Sequence, residues 1–230
     1  MRVLIGTAGS HGDVLPFVAL GREFARRGHE VLLYANPVFR DQVTGTGIRL
    51  VPISTVEKYA ALFGESSDRN PTRAFKRIAK EFAELCPAYY RAMKADLVDG
   101  DTIAIGSSLF FPARLLNETD RIPCATVHLA PAVFRSNLNP ARAAPNWITA
   151  QTPSRLKQAA WWLLDKTFCE PYFTAPLNRF RAELGRAADP GRLPTGRRWR
   201  SARPVIATRG LHPGRPAASG LFPRNGHGYS

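Results

Sequence analysis

The chain has 230 residues, 44% of them hydrophobic, and a formal net charge of +14. That length and apolar content suffice for one large domain or two small ones with a real core. Cys86, Cys124 and Cys169 are too few and too widely spaced for a disulfide framework or a CxxC metal site, and they suit a reducing cytosol. No 18-residue apolar run predicts a transmembrane helix, and the apolar start is too short for a signal peptide.

In chain order, Val3-Leu4-Ile5 reads as a buried strand, followed by the turn Gly6-Thr7-Ala8-Gly9-Ser10-His11-Gly12-Asp13. A helix is predicted from about Val14 to Arg27, with Phe17, Leu20, Gly21 and Phe24 on one face and Gly28 as its stop. Strand two is Glu30 to Tyr34, a helix opens at Asn36-Pro37, and strand three is Ile48 to Ile53. This βαβαβ rhythm predicts an α/β, Rossmann-like parallel sheet with helices on both faces.

Ser54 to Asn70 reads as a polar loop. Pro71 then starts a long amphipathic helix to about Ala95, with Pro87 as a kink. Strand four is Asp101 to Ile105, a short helix runs from Phe111 to Glu118, and strand five spans Pro123 to Leu129. An irregular proline-rich stretch, Ala130 to Pro153, precedes a last helix capped by Ser154 and interrupted near Pro171 and Pro176. Within it, Trp161-Trp162 fits the core, a contact with a second domain, or a membrane surface.

Beyond about residue 184 the character changes. Residues 185–230 hold nine Arg, no Lys and one Asp, a net of +8, which leaves +6 for the first 184. The composition predicts a disordered basic tail, a frame-shifted terminus or a nucleic-acid-binding arm. The domain expectation is therefore 1–184 folded and 185–230 tail.

The glycine turn is a poor phosphate cradle. Its spacing is G-x-x-G-x-x-G, strand two ends in Tyr34-Ala35-Asn36 with no acid for a ribose, and no Gly-Lys-Ser/Thr follows. It suits display of side chains instead, and Asp13 and His11 are the titratable groups on it. A carboxylate there fits general-base chemistry, and Asp13 also suits an N-cap for the predicted helix at Val14.

The run from Gly6 to Phe17, with Arg27-Gly28-His29-Glu30-Val31, resembles the amino-terminal half of GT-B glycosyltransferases of the bacterial macrolide, glycopeptide and sterol type (family 1/28-like). Thr126 to Ser136 is similar to the loop after strand five in bacterial members. The resemblance implies an acceptor domain, an inverting, metal-independent transfer from a UDP- or dTDP-sugar to a lipophilic hydroxyl, and no cofactor. It places the base at Asp13, with His11 as alternative, and Ser108 where His-based relatives carry an orienting Asp. It implies acceptor contacts from Ser108, Phe110, Phe111, His128 and Phe134, with Leu129 adding apolar lining. Gly9, Ser10 and Gly12 become the donor-facing turn, and His29 is structural.

The family's H-x-G-x-G donor motif has no counterpart here, since Gly226-His227-Gly228-Tyr229 differs from it. The expectation is therefore an acceptor half with little activity alone, in the cytoplasm, with peripheral membrane contact open and no specific nucleic acid. A non-catalytic α/β module that binds a small ligand or a partner is the competing reading.

Overall fold

A computed structural model describes residues 1–64, 70–129, 148 and 151–187. Five parallel strands, β1 (Arg2–Gly6), β2 (Glu30–Ala35), β3 (Ile48–Pro52), β4 (Thr102–Ser107) and β5 (Cys124–Val127), form one sheet in the order β3-β2-β1-β4-β5. The register pairs Gly6 with Tyr34 on one side and with Gly106 on the other. The β1 loop thus leaves the carboxyl-terminal edge at mid-sheet, where the strand order reverses. Such a switch point opens a crevice for ligands.

The central strands are apolar on both faces because helices cover both. On one face Val3, Ile5, Leu33 and Ile105 pack with Val14, Phe17 and Val18 of α1 (His11–Arg26). On the other, Leu4, Leu32, Tyr34 and Ala104 pack with Tyr89, Tyr90 and Met93 of α4 (Pro71–Ala95) and with α5 (Phe111–Asp120). Asn36 caps a 3₁₀ turn at Pro37–Phe39, its Oδ1 accepting from the Val38 amide at 3.0 Å, and α2 (Arg40–Val43) follows.

Four local expectations change. α1 begins at His11, three residues earlier than predicted, with Ser10 as N-cap and Asp13 at the third helical position. The expected loop 54–70 contains α3 (Val56–Phe63), whose N-cap Thr55 accepts from the Lys58 amide at 3.3 Å. Ser154 is the first residue of α6 (Ser154–Leu164), and Pro153 holds the cap position. A wide π-type segment, Asp165–Thr174, joins α6 to α7 (Ala175–Glu183), so the last helical stretch is continuous through Pro171 in a looser winding.

Helical geometry separates the two tryptophans, because neighbours on a helix point about 100° apart. Trp161 is half-buried while Trp162 is 61% exposed, which removes Trp162 from the core. The tail 188–230 and Phe134 lie outside the described residues. Among the described residues no helix is long and apolar enough to cross a membrane, and no group of three His, Cys, Asp or Glu could hold a metal.

Candidate active site

The turn after β1 is built from two glycines with different jobs. At Gly6 an added Cβ would sit 1.9 Å from Cε1 of Phe110, so the strand ends against an aromatic ring that only glycine admits. At Gly9 φ is +137°, and an added Cβ would fall 2.4 Å from Oδ2 of Asp13. The Asp13 side chain is folded back over Gly9, and a side chain on that residue would displace it.

The reason Asp13 folds back is capping. Its Oδ2 accepts from the Ser10 amide at 2.8 Å and from Ser10 Oγ at 2.9 Å. A carboxylate in the first turn also meets the positive end of the helix dipole. The expected cap role for Asp13 is therefore real but belongs to the third helical position, not to a cap at Val14. Both bonds go to Oδ2, and Oδ1 takes part in neither. Thr7, fully buried, donates from Oγ1 to the Asp13 carbonyl at 3.1 Å and ties the start of α1 to the strand. Pro16, inside α1, has no N–H for the Gly12 carbonyl, which leaves an acceptor near the same turn.

His11 is exposed and is not idle. Its Nδ1 shares a 3.1 Å hydrogen bond with the Tyr59 hydroxyl, and its ring lies edge-on to Phe39 with centroids 5.0 Å apart. Tyr59 in turn contacts Phe39 and Phe63, at 5.5 and 5.1 Å. Burial and then the Asp13 charge raise the Tyr59 hydroxyl above its ordinary value, which places that carboxylate within electrostatic reach.

Between this turn, α3 and α4 lies a cleft of about 380 Å³, counting its open mouth. Ala8, Gly9 and Val14 form its wall on the turn side, and Tyr59, Phe63, Phe82 and Leu85 form its apolar sides. None of the α3 residues was expected from sequence, yet a signal was there. Thr55 is a good cap, and Val56, Tyr59 and Phe63 recur at helical spacing.

The expected aromatic lining sits elsewhere. Phe110 is 3% exposed and fills the space under Gly6, its ring edge-on to Tyr89 at 4.9 Å, so it is core rather than lining. Phe111 faces a separate apolar hollow with Cys86, Phe173 and Phe180. The physical reason is that Phe111 begins α5, whose packing on α4 fixes which way each ring points. Leu129 is 40% exposed at the edge. His29 packs on Phe24 at 5.9 Å, a structural place.

Ser108 and His128 are brought together. Ser108 Oγ and His128 Nδ1 share a 2.9 Å hydrogen bond between the ends of β4 and β5. Burial, and then the nearby Arg114 cation, push the His128 imidazole below its ordinary value and favour its neutral form.

Comparison with known proteins bears on this edge. The model for the glycosyltransferase family 28 N-terminal domain matches residues 3–135. An uncharacterised glycosyltransferase of Mycobacterium leprae is 28% identical over 194 residues, covering 80% of this chain and 42% of that protein. O-mycaminosyltylonolide 6-deoxyallosyltransferase of Streptomyces fradiae is 50% identical over 48 residues, 21% of this chain and 11% of its own length. In three dimensions the kitacinnamycin glycotransferase superposes with a TM-score of 0.52 at 19% identity, over 80% of this chain and 40% of that one. The calicheamicin glycosyltransferase CalG4 gives 0.51 at 18%, over 80% and 41%. The fold is thus that of the amino-terminal half of GT-B glycosyltransferases, and the chain spans about two fifths, or less, of these proteins' lengths.

Proposed function

The chain belongs to the glycosyltransferase family 28 N-terminal domain family, and from that membership we propose that it is the acceptor-binding half of an inverting, metal-independent sugar transferase. The acceptor is a lipophilic alcohol or phenol held in the cleft, and the donor is a UDP- or dTDP-sugar. The donor surface lies in the part of the relatives that this chain does not span. The three free cysteines suit a cytoplasmic place.

The observation that carries the reading is the half-exposed Asp13 carboxylate, held through one oxygen only and folded over Gly9, which lines the cleft. Its uncommitted Oδ1 is the base. As the acceptor oxygen attacks the anomeric carbon, the bond to the diphosphate breaks, the hydroxyl proton passes to Asp13, and the nucleoside diphosphate leaves from the opposite side. Holding the carboxylate by its other oxygen orients it without occupying the lone pairs that receive the proton. The Ser108–His128 pair supplies a polar contact for the acceptor further along the same edge.

The test joins residues 1–230 to the carboxyl-terminal half of the M. leprae relative and measures transfer from UDP-glucose and dTDP-glucose to 2-naphthol. Asp13→Asn should lower kcat by about 10²–10⁴-fold, the usual worth of a general base, and leave naphthol affinity unchanged. Unchanged transfer would place the base elsewhere. Loss of naphthol binding together with transfer would leave Asp13 only its capping role.

A further inference from the structure

Among the side chains lining the cleft, Glu81 carries a charge and Tyr89 has a hydroxyl that bonds no described residue. Both are on α4, and transfer chemistry at Asp13 uses neither. Glu81 and Tyr89 line the cleft with Phe82 and Leu85 between them. Eight residues along a helix separate them by about 12 Å. Tyr89 is 5% exposed, and its hydroxyl makes no hydrogen bond to a described residue. That hydroxyl is not one of the fully buried atoms left without a partner, so it opens onto the cleft, where a ligand's polar group can reach it.

Glu81 is the second observation. Its side chain is 16% exposed, and its ion-pair partner among the described residues is Lys58 of α3, 3.2 Å away through Oε1 and itself 54% exposed. An exposed lysine tethered by a single contact is a weak, exchangeable partner. Besides burial, the Glu81 charge raises the Tyr89 hydroxyl, which shows its field reaching into the cleft.

We propose that the cleft selects an acceptor with an apolar ring body and a basic amine, the ammonium taking the place of Lys58 on Glu81 while a polar group at the other end meets Tyr89. This rests on the cleft being the acceptor site, and it adds which acceptors enter. A neutral lipophilic alcohol gains the apolar walls and the Tyr89 contact, whereas an amine adds a charge-assisted hydrogen bond in a partly desolvated place.

The experiment titrates residues 1–230 with two fluorescent probes, 2-naphthol and 6-(dimethylaminomethyl)-2-naphthol, at pH 7 and low salt. The amine probe should bind about tenfold tighter or better. Glu81→Gln should erase that preference and leave 2-naphthol affinity unchanged. Lys58→Ala should move the other way and tighten the amine probe, because it removes the competing cation. Tyr89→Phe should weaken both probes. Equal binding of the two probes would overturn the amine selectivity and keep the cleft. Equal weakening of both probes by Glu81→Gln and Lys58→Ala would make the pair a latch between α3 and α4, which also overturns the proposal. Failure of both probes to bind would sink the acceptor-site reading itself, and failure of the amine probe alone would overturn the amine selectivity.

Discussion

At the amino-terminal edge of the sheet, Asp96 accepts from the Tyr34 hydroxyl at 2.7 Å and pairs with Arg49 at 3.1 Å, while its carbonyl accepts from Arg2 at 2.8 Å. Arg2 is further held by both oxygens of Glu30 at 2.9 Å. At the carboxyl-terminal edge, Asp13 spends one oxygen, His11 is exposed, and the Tyr89 hydroxyl bonds no described residue. Both edges belong to the same strands and are flanked by the same α4. Where polar groups satisfy one another they fasten the domain; where they are left with capacity they can bind and react. The contrast teaches that spare hydrogen-bonding capacity, more than polarity itself, marks the working edge.

The largest way to probe that contrast through stability lies beneath the working edge. Phe110→Ala removes a buried ring that touches Gly6 and Tyr89, and it should cost about 3–5 kcal/mol in denaturant unfolding. If Phe110 were lining rather than core, the loss would be small and ligand affinity would fall instead.

Gly9→Ala comes next. It forces a side chain into a positive-φ residue and against the Asp13 carboxylate, so about 1–3 kcal/mol should be lost. Transfer should fall beyond what the stability loss explains, because the base is displaced. A variant as stable and active as the parent would show that Asp13 does not need its folded-back pose.

Tyr34→Phe is the smallest and tests the fastened edge. Burial first, then the bond to Asp96, raises the Tyr34 hydroxyl well above its ordinary value. An unfolded tyrosine ionises near pH 10 while the folded one keeps its proton. The stability this gives is therefore whole below about pH 10 and falls as pH rises past it. Tyr34→Phe should lose about 1 kcal/mol at pH 7. Above pH 10 its stability should decline less steeply than the parent's, by up to about 1.4 kcal/mol per pH unit. Parallel curves for the two proteins would mean that Tyr34 titrates normally.

Sequence alone determined the strands, their parallel order of appearance and the place of Asp13. β-branched runs, Gly stops and the glycine turn from Gly6 to Asp13 are local signals that each act over a few residues. The family resemblance also drew attention to Ser108, at the position of an orienting Asp, and to His128 at the end of the fifth strand. Sequence did not decide which way neighbouring aromatics face. Phe110 and Phe111 are adjacent and equally apolar, and only the packing of α5 on β4 and α4 sent one beneath Gly6 and the other toward Phe173. Nor did it raise α3 from a polar loop to a wall, since that helix buries no residue fully and rests on ring contacts with Phe39. Local pattern fixes elements because hydrogen bonding and periodicity are short-range. Which atoms are left unspent depends on contacts between residues far apart in the chain, and the tertiary structure alone brings those together.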